Sequence, residues 1–551
     1  MKRRGKLAAL VLTGLMAISV LSACAPNTST QPTTTGSSET QATTETTKAD
    51  TSFQKNEDGS FVSGGIKFPL EEKVTYSFFR TSDAKTLEVN GGDIGNNEFW
   101  IELEKLTNVH FEFITPAIGT EREQYNLQIT SGNLPDVMSN PDYYRDGLDN
   151  GIDDGYFLDL TDLIPDYAPE YLKVLEASGQ AKNVKTDTNR FASMAMIFKE
   201  VQAPFAGFII RKDWLDELKL EVPVTYADWE TVLTAFKDEK GCTTPLVLTK
   251  FGYWNLGIGM GAIGDGTGAT TYQVDGKIKD SLLDTPDASK EYFMLMNRWY
   301  TNGLLDQNFM STTGYLPDPS FVNTGAAGIT QAMYSQISTA YAPTKQAGGE
   351  LVALPWVVKN KGDVLHTNPL ANPSKVTPSV TISTSCEQPE TLLAMFNYLF
   401  TEDGFVLENY GIEGVTYNLD SAGNIKYSDA FLKDIAAGIR KYTMPPSWGP
   451  SWVDADRQNP ALPQTSIDMM KVWTTDLSYK LPTLTMTAEE SAEYADLMAD
   501  LSTHIEENCL QFITGAKSFD QWDTFIASLE EMGLRRCNEI QQQALDRYNK
   551  R

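Results

Sequence analysis

Two loop-like stretches set flat aromatic rings beside planar polar side chains: "KFGYWNLG", with Tyr253, Trp254 and Asn255, and "MPPSWGPSWVDADRQ", with Trp448, Trp452, Asp454, Asp456 and Arg457. Such sets suit a sugar ring, whose apolar C–H face stacks on an aromatic plane while its hydroxyl rim hydrogen-bonds to carboxylates, amides and guanidinium groups. The indoles of the second stretch are four residues apart, but Gly449 and Pro450 between them argue against one continuous helix. Core-filling loop tryptophans remain open as the alternative. Trp356, in "ALPWVV", reads either way. Arg80 with Thr81, and Asn140 with Asp142, follow the first and third expected strands, where open α/β sheets place ligands. Glu413 and Tyr417, in "YGIEGVTYN", complete the candidate set.

Other chemistries find less support. "GMGAIG", Gly259 to Gly264, matches G-x-G-x-x-G, but the strand "PLVLT" ends well before it, so the glycines are not where a dinucleotide fingerprint needs them. A Gly-rich loop at a cleft mouth is expected instead. His504 and Cys509 lie five residues apart, which on a helix points them about 140° apart. With His110 and His366 as the other histidines, no zinc set of three or four ligands emerges and no metal or cofactor is expected. A glycoside hydrolase or lyase needs two placed carboxylates about 5–10 Å apart; among 73 acidic residues no pair is marked.

The chain's start suggests where such a site would work. Lys2, Arg3, Arg4 and Lys6 precede an apolar run from Leu7 to Ala23, the charge order of a secretory leader. "LSAC" then closes the run at Cys24. Residues 25–52 are rich in Ser and Thr and hold nothing that builds a core, so they read as a tether. Without the leader's four basic residues the formal charge of −28 becomes −32, a surface that repels nucleic acid and anionic headgroups. Cys242, Cys386, Cys509 and Cys537 are scattered; sequence allows disulfides or buried free thiols.

The elements that must position the candidates alternate. "KVTYSFFR" reads as a strand, "NEFWIELEKLTN" as a helix, "VHFEFI" as a strand, "EREQYNLQITSG" as a helix ending at Gly132, and "LPDVM" as a strand entering a polar turn. "FAGFIIRKDWLDELKL" is a strand running into a helix. "TYADWETVLTAFKDE" is a helix with Thr225 as N-cap, and "TLLAMFNYLFTEDGFVLENYG" is a helix or helix pair. The last 65 residues are mostly helical. Trp100, Trp214, Trp229, Trp299 and Trp522 sit on helical stripes and are expected in the core. A body of this size calls for more than one lobe.

"FIIRKDWLDELKLEVPVTYADW", "TSGNLPDVM", "DGKIKD" followed by "NRWYTNGLLDQNF", "YGIEGVTYNLD" and "FITGAKSFDQWDTFIASLEEMGL" together resemble the extracellular sugar-binding proteins of ABC importers. The nearest group is the large oligosaccharide-binding lipoproteins of Gram-positive bacteria. That resemblance implies an α/β, two-lobe periplasmic-binding-protein-like fold (type II) with hinge strands between the lobes and a helical C-terminal region. It implies a signal peptide over 1–23 and a lipid-anchored tether over 24–59. Lobe one is then expected over 60–195 and 376–430, and lobe two over 196–375 and 431–551. "LSAC" resembles a lipobox, which makes Cys24 the lipidated N-terminus at the extracellular face of the cytoplasmic membrane. The expected function is non-enzymatic capture of an oligosaccharide by a monomer that delivers it to permease subunits. A surface hydrolase or lyase, a binder of peptides, lipids or other solutes, and an adhesin are the alternatives.

Overall fold

The computed structural model describes residues 51–144, 146–264, 268–312, 314–444 and 449–551. Cys24, the leader, the tether to residue 50 and Trp448 lie outside the described residues. Two hydrophobic cores organise the rest, one for each lobe.

Lobe one is built on a six-stranded sheet in the order Ser451–Val453, Met194–Phe198, Val376–Ile382, Val137–Ser139, Val74–Phe79, Val109–Ile114. Val74–Phe79 runs parallel to both neighbours, with Phe78 opposite Phe113 and Val137. Val376–Ile382 runs antiparallel to both of its own neighbours. The helix Glu98–Thr107 makes the first parallel crossover. Asn97 caps it by accepting from the Phe99 N–H, and Asn108 ends it at φ 58°. Its apolar stripe lays Trp100 against Phe111 and Phe113, both centroid distances 5.3 Å. Helix Glu121–Ser131 stops at Gly132, whose φ of 69° suits a residue without a Cβ.

In lobe two, Ala206–Arg211 is the central strand of a sheet, antiparallel to Ile329–Met333 and Leu351–Ala353. Helix Tyr226–Lys240 begins at Thr225 with a reciprocal capping box to Asp228. Trp229 and Trp299 stack at 6.4 Å in the core behind it, and Trp214 and Trp522 are buried in the same cluster. The C-terminal part is helical, with Ala488–Thr514, Trp522–Glu531 and Leu534–Lys550 packed together.

The chain passes between the lobes three times, at 199–205, 371–375 and 454–463, the stretch from Leu354 to Leu370 still packing on the lobe-two core. The passages are tied where they leave lobe one: the Phe198 N–H donates to the Lys375 carbonyl at 2.6 Å, and the Lys199 N–H to the Val453 carbonyl at 2.9 Å. The third passage therefore follows Val453, not residue 430 as expected from sequence. Helix Ile435–Tyr442 packs on Ala84–Val89 and Glu98–Thr107, and Ser451–Val453 extends the lobe-one sheet. Gln54–Lys55 pairs with Phe61–Ser63 in a small sheet, so folded structure begins before residue 59, the expected end of the tether. Ser63 Oγ anchors that sheet by donating to the Ala394 carbonyl at 2.6 Å.

The four described cysteines are free and buried. Burial pushes the Cys242 and Cys386 thiols up to about 12 and Cys537 to about 11. No described helix is long and apolar enough to cross a membrane.

Candidate functional site

Lobe two holds a pocket of about 680 Å³ lined by aromatic rings, amides and hydroxyls. One wall comes from the segment after the strand-like run Leu246–Leu248: Thr249, Phe251 and Asn255 line it. The short helix Tyr253–Gly257 holds Asn255 in place. Its carbonyls at Tyr253 and Leu256 accept hydrogen bonds from the buried hydroxyls of Tyr292 and Tyr226.

Tyr253 and Trp254 belong to the layer beneath. They are 1% and 2% exposed and sit in the lobe-two core, so neither presents a face on which a sugar could stack as the site stands. Gly264 lines the pocket directly over Trp254, where an added Cβ would come within 2.5 Å of the indole. At Gly259 a Cβ would meet the Val357 carbonyl at 2.1 Å. Gly259 and Gly264, two of the three glycines of "GMGAIG", thus permit close packing, and the loop borders the pocket.

The opposite wall joins Tyr272 and Tyr479, stacked with centroids 5.8 Å apart. Tyr479 is fixed from behind: its N–H donates to the His366 carbonyl at 2.8 Å, and the His366 ring lies 4.7 Å away. His366 Nδ1 is 2.6 Å from Asp476 Oδ2. The Ser478 hydroxyl, with His366, holds the Asp476 carboxyl down at about 2.

At the mouth, Tyr315 lines the pocket and stacks on Phe205, the last residue of the first passage between lobes. Tyr315 is 59% exposed, Phe205 39% and Phe251 36%. These three are the exposed aromatic residues among the described part of the chain, and they gather at this one place. At the inner end, helix Leu534–Lys550 contributes Gln541, which is 7% exposed. Its Nε2 donates to the Tyr494 hydroxyl at 3.2 Å, while Oε1 accepts no hydrogen bond among the described residues.

The lobe-one candidates fall on the C-terminal ends of its parallel strands. Asn140 adopts φ 60°, and its Oδ1 accepts from Thr81 Oγ1 at 3.0 Å and Ser139 Oγ at 3.1 Å. Asp142 is exposed beside Arg122, whose guanidinium lies 4.0 Å from it and 4.7 Å from the Tyr143 ring centroid. Arg80 turns inward instead. It is buried with its guanidinium 5.1 Å from the Trp100 ring and 5.6 Å from that of Phe113, and burial lowers its pKa well below the usual range.

The remaining candidates are apart from both groups. Trp356 is buried, with its indole N–H donating to the Trp473 carbonyl at 2.9 Å. Trp452 lies on the lobe-one sheet against Phe405, centroids 4.7 Å apart. Asp454 accepts from the Tyr410 hydroxyl, and buried Arg457 donates to the carbonyls of Glu408 and Met444, each at 3.3 Å. Glu408 accepts from the Trp452 N–H at 2.6 Å, and burial drives its carboxyl well above the usual range. This polar knot fastens the third passage to helix Glu402–Tyr410. Glu413 and Tyr417 line a separate surface hollow of lobe one.

Sequence reasoning therefore reached Asn255 and missed Phe205, Phe251, Tyr272, Tyr315, Tyr479 and Gln541. Phe251 stands inside the quoted "KFGYWNLG"; Tyr315, in "TTGYLPDP", has Gly and Pro neighbours that mark an exposed loop.

No protein-family model matches the chain. Over 354 residues it is 26% identical to the polygalacturonan/rhamnogalacturonan-binding protein YtcQ of Bacillus subtilis, covering 62% of this chain and 67% of that protein. A 181-residue stretch is 31% identical to the fructooligosaccharide ABC transporter substrate-binding protein FusA of Streptococcus pneumoniae, 32% of this chain and 33% of that one. The lipoprotein LipO of Bacillus subtilis is 24% identical over 339 residues, 58% of this chain and 63% of LipO. Among solved structures, an extracellular solute-binding protein from Bifidobacterium longum subsp. infantis superposes with a TM-score of 0.70 at 17% identity, covering 86% of this chain and 98% of that one. The alginate-binding protein AlgQ2 gives 0.63 at 22% identity, covering 87% and 99%. The chain has the two-lobe α/β fold of solute-binding proteins.

Proposed function

We propose that this protein captures an oligosaccharide in the lobe-two pocket, closes lobe one over it, and releases it to the permease of an ABC importer. The observation that carries this reading is the exposure of Phe251 and Tyr315 on one pocket, with exposed Phe205 stacked on Tyr315 beside it. Exposed rings cost solvation unless a ligand uses them, and a sugar's C–H face is the partner that flat rings suit. Tyr272 and Tyr479 supply a second aromatic wall. Asn255, Gln541 and the hydroxyls of Thr249, Thr271 and Thr367 supply groups for a hydroxyl rim. The polar groups described there are amides, hydroxyls and the Lys480 ammonium, which bind rather than carry out acid and base steps on a glycosidic bond. The relatives named for polygalacturonan, rhamnogalacturonan and fructooligosaccharides support the same ligand class.

On this reading Asn140 and Asp142, with Arg122 and Tyr143 beside them, are the lobe-one surface that meets the bound sugar. Cys24 carries the lipid, so capture takes place at the extracellular face of the membrane. Calorimetry with oligogalacturonides, rhamnogalacturonan fragments and kestose tests the proposal. Saturable binding with every sugar recovered intact supports it. Cleavage of a bound sugar, or binding that Tyr315→Ala and Tyr479→Ala leave unchanged, counts against it. Mass spectrometry of the mature N-terminus tests the anchor: Cys24 bearing diacylglycerol is expected, and a Cys24→Ala chain that stays equally membrane-bound excludes it.

A further inference from the structure

The C-terminal helix Leu534–Lys550 is rooted in lobe two, where Leu534 and Cys537 are buried in the core, yet its last turn grips lobe one. Arg551 donates to Asp187 Oδ1 through Nε at 3.0 Å and Nη2 at 2.6 Å. Arg547 Nε meets Oδ2 of the same carboxylate at 2.7 Å. Asp187 closely follows Val184, which is buried in the lobe-one core. The Tyr548 hydroxyl donates to Asn183 Oδ1 at 2.7 Å, and Lys182 Nζ donates to the Asn549 carbonyl at 2.8 Å. Asn183 in turn donates to Ser374 Oγ at 2.9 Å and the Val376 carbonyl at 3.1 Å, where the second passage enters lobe one.

We propose that this cluster is a clasp: a non-covalent fourth connection, beside the three covalent passages, that limits how far the lobes part. Two guanidinium groups share one carboxylate; the Arg551 side chain is only 2% exposed, while Arg547 and Asp187, at 26% and 19%, keep contact with water, so the cluster is strong yet open to salt. Arg547 is held in turn by Glu490, at 2.8 Å from Nη1 and 2.5 Å from Nη2, which aims it at Asp187. The contact is mostly polar, with the Lys182 ammonium also 5.9 Å from the centroid of the Tyr548 ring. Its polar groups exchange protein partners for water when they separate, so breaking it exposes little apolar surface beyond that ring. The same helix lines the pocket through Gln541, so clasp and ligand site ride on one rigid element. The proposal rests on the two lobes and their contacts, and stands whatever the ligand proves to be.

Pulsed electron paramagnetic resonance on the ligand-free chain tests it. Spin labels go on Lys173→Cys in lobe one and Met294→Cys in lobe two, both exposed positions, in a Cys24→Ala background whose other thiols are buried. The distance distribution is expected to widen toward longer separations in Asp187→Asn. It should also widen in the unchanged clasp as salt rises to about 1 M, where the screening length falls to about 3 Å. Tyr548→Phe, which removes one hydroxyl, should give a smaller widening and guards against failure of Asp187→Asn to fold. Distributions identical in both variants and at both salt levels overturn the clasp. A salt response that persists undiminished in Asp187→Asn overturns it too.

Discussion

Tyr315 lies on Phe205 with ring centroids 5.8 Å apart and planes inclined at 24°, joining the rim of the lobe-two pocket to the end of the first passage between lobes. The pair is a platform: each ring supports the other, and both keep an open face. Tyr315→Ala and Phe205→Ala should each weaken oligosaccharide binding by about 1–3 kcal/mol, as truncated anchor residues do. Their melting temperatures should stay close to that of the parent, because little buried surface is lost. Calorimetry and thermal melts on the same samples check both halves of this expectation.

Trp254 should behave in the opposite way. Because it is buried under Gly264, Trp254→Ala is expected to cost about 3–5 kcal/mol of folding stability. The fraction that remains folded should bind with reduced affinity through loss of the pocket floor. Denaturant unfolding, run beside the binding assay, separates the two effects. A variant with parental stability would mean that the indole is not a core residue.

Gln541 offers a test of orientation within the pocket. Its Oε1 is buried and accepts nothing among the described residues, so under the proposed function a sugar hydroxyl that reached it would supply the missing donor. Gln541→Leu should weaken binding by about 0.5–1.5 kcal/mol, the net worth of one neutral hydrogen bond. Calorimetry against the parent protein reads this directly, and unchanged affinity would remove Gln541 from the site.

Glu408 ties stability to pH. Burial raises its folded-state pKa above the unfolded value near 4.3, so the protonated acid is favoured in the fold. The sign follows: its contribution is full below the unfolded value and is lost as pH rises through the raised folded one. Glu408→Gln mimics the neutral acid and should flatten that part of the pH dependence. Melting curves for parent and variant, taken from about pH 4 to pH 8, should therefore diverge toward the alkaline end with the variant the more stable. Parallel curves would show that the carboxyl titrates as an ordinary one.

Local signals carried much of the architecture. Thr225 caps its helix as Ser, Thr, Asp and Asn do at chain level, Gly132 ends another, and "TLLAMFNYLFTEDGFVLENYG" separates into two helices at Thr401. Such features depend on neighbours a few residues away, so the sequence displays them. The pocket does not have that character. Tyr272 and Tyr479 come from distant stretches, and each alone looks like any half-buried tyrosine; only the fold makes them a wall. Trp254 misled for the complementary reason. Its Gly-rich surroundings suggest a loop at the surface, whereas Gly264 lets the following segment close over the indole. Arg80 follows its strand as a ligand-facing residue would, yet the rings of Trp100 and Phe113 draw it into the core. The lobe boundary moved because Ser451–Val453, a mere three residues, adds a strand to a sheet whose other members lie far upstream.

The three passages also decide what can be cut from the molecule. Lobe one is assembled from the stretches before Lys199, between Lys375 and Val453, and from no others, so no uninterrupted piece of coding sequence specifies either half. A protease that severs the chain inside any one passage leaves the halves joined by the other two, and the nicked protein should still elute as a single species. Truncation has a harsher outcome. Ending the chain at residue 450 strips the lobe-two core of Phe512, Trp522 and Leu534 and also removes the outer strand of the lobe-one sheet, leaving Met194–Phe198 as an unpaired edge of the kind that invites aggregation.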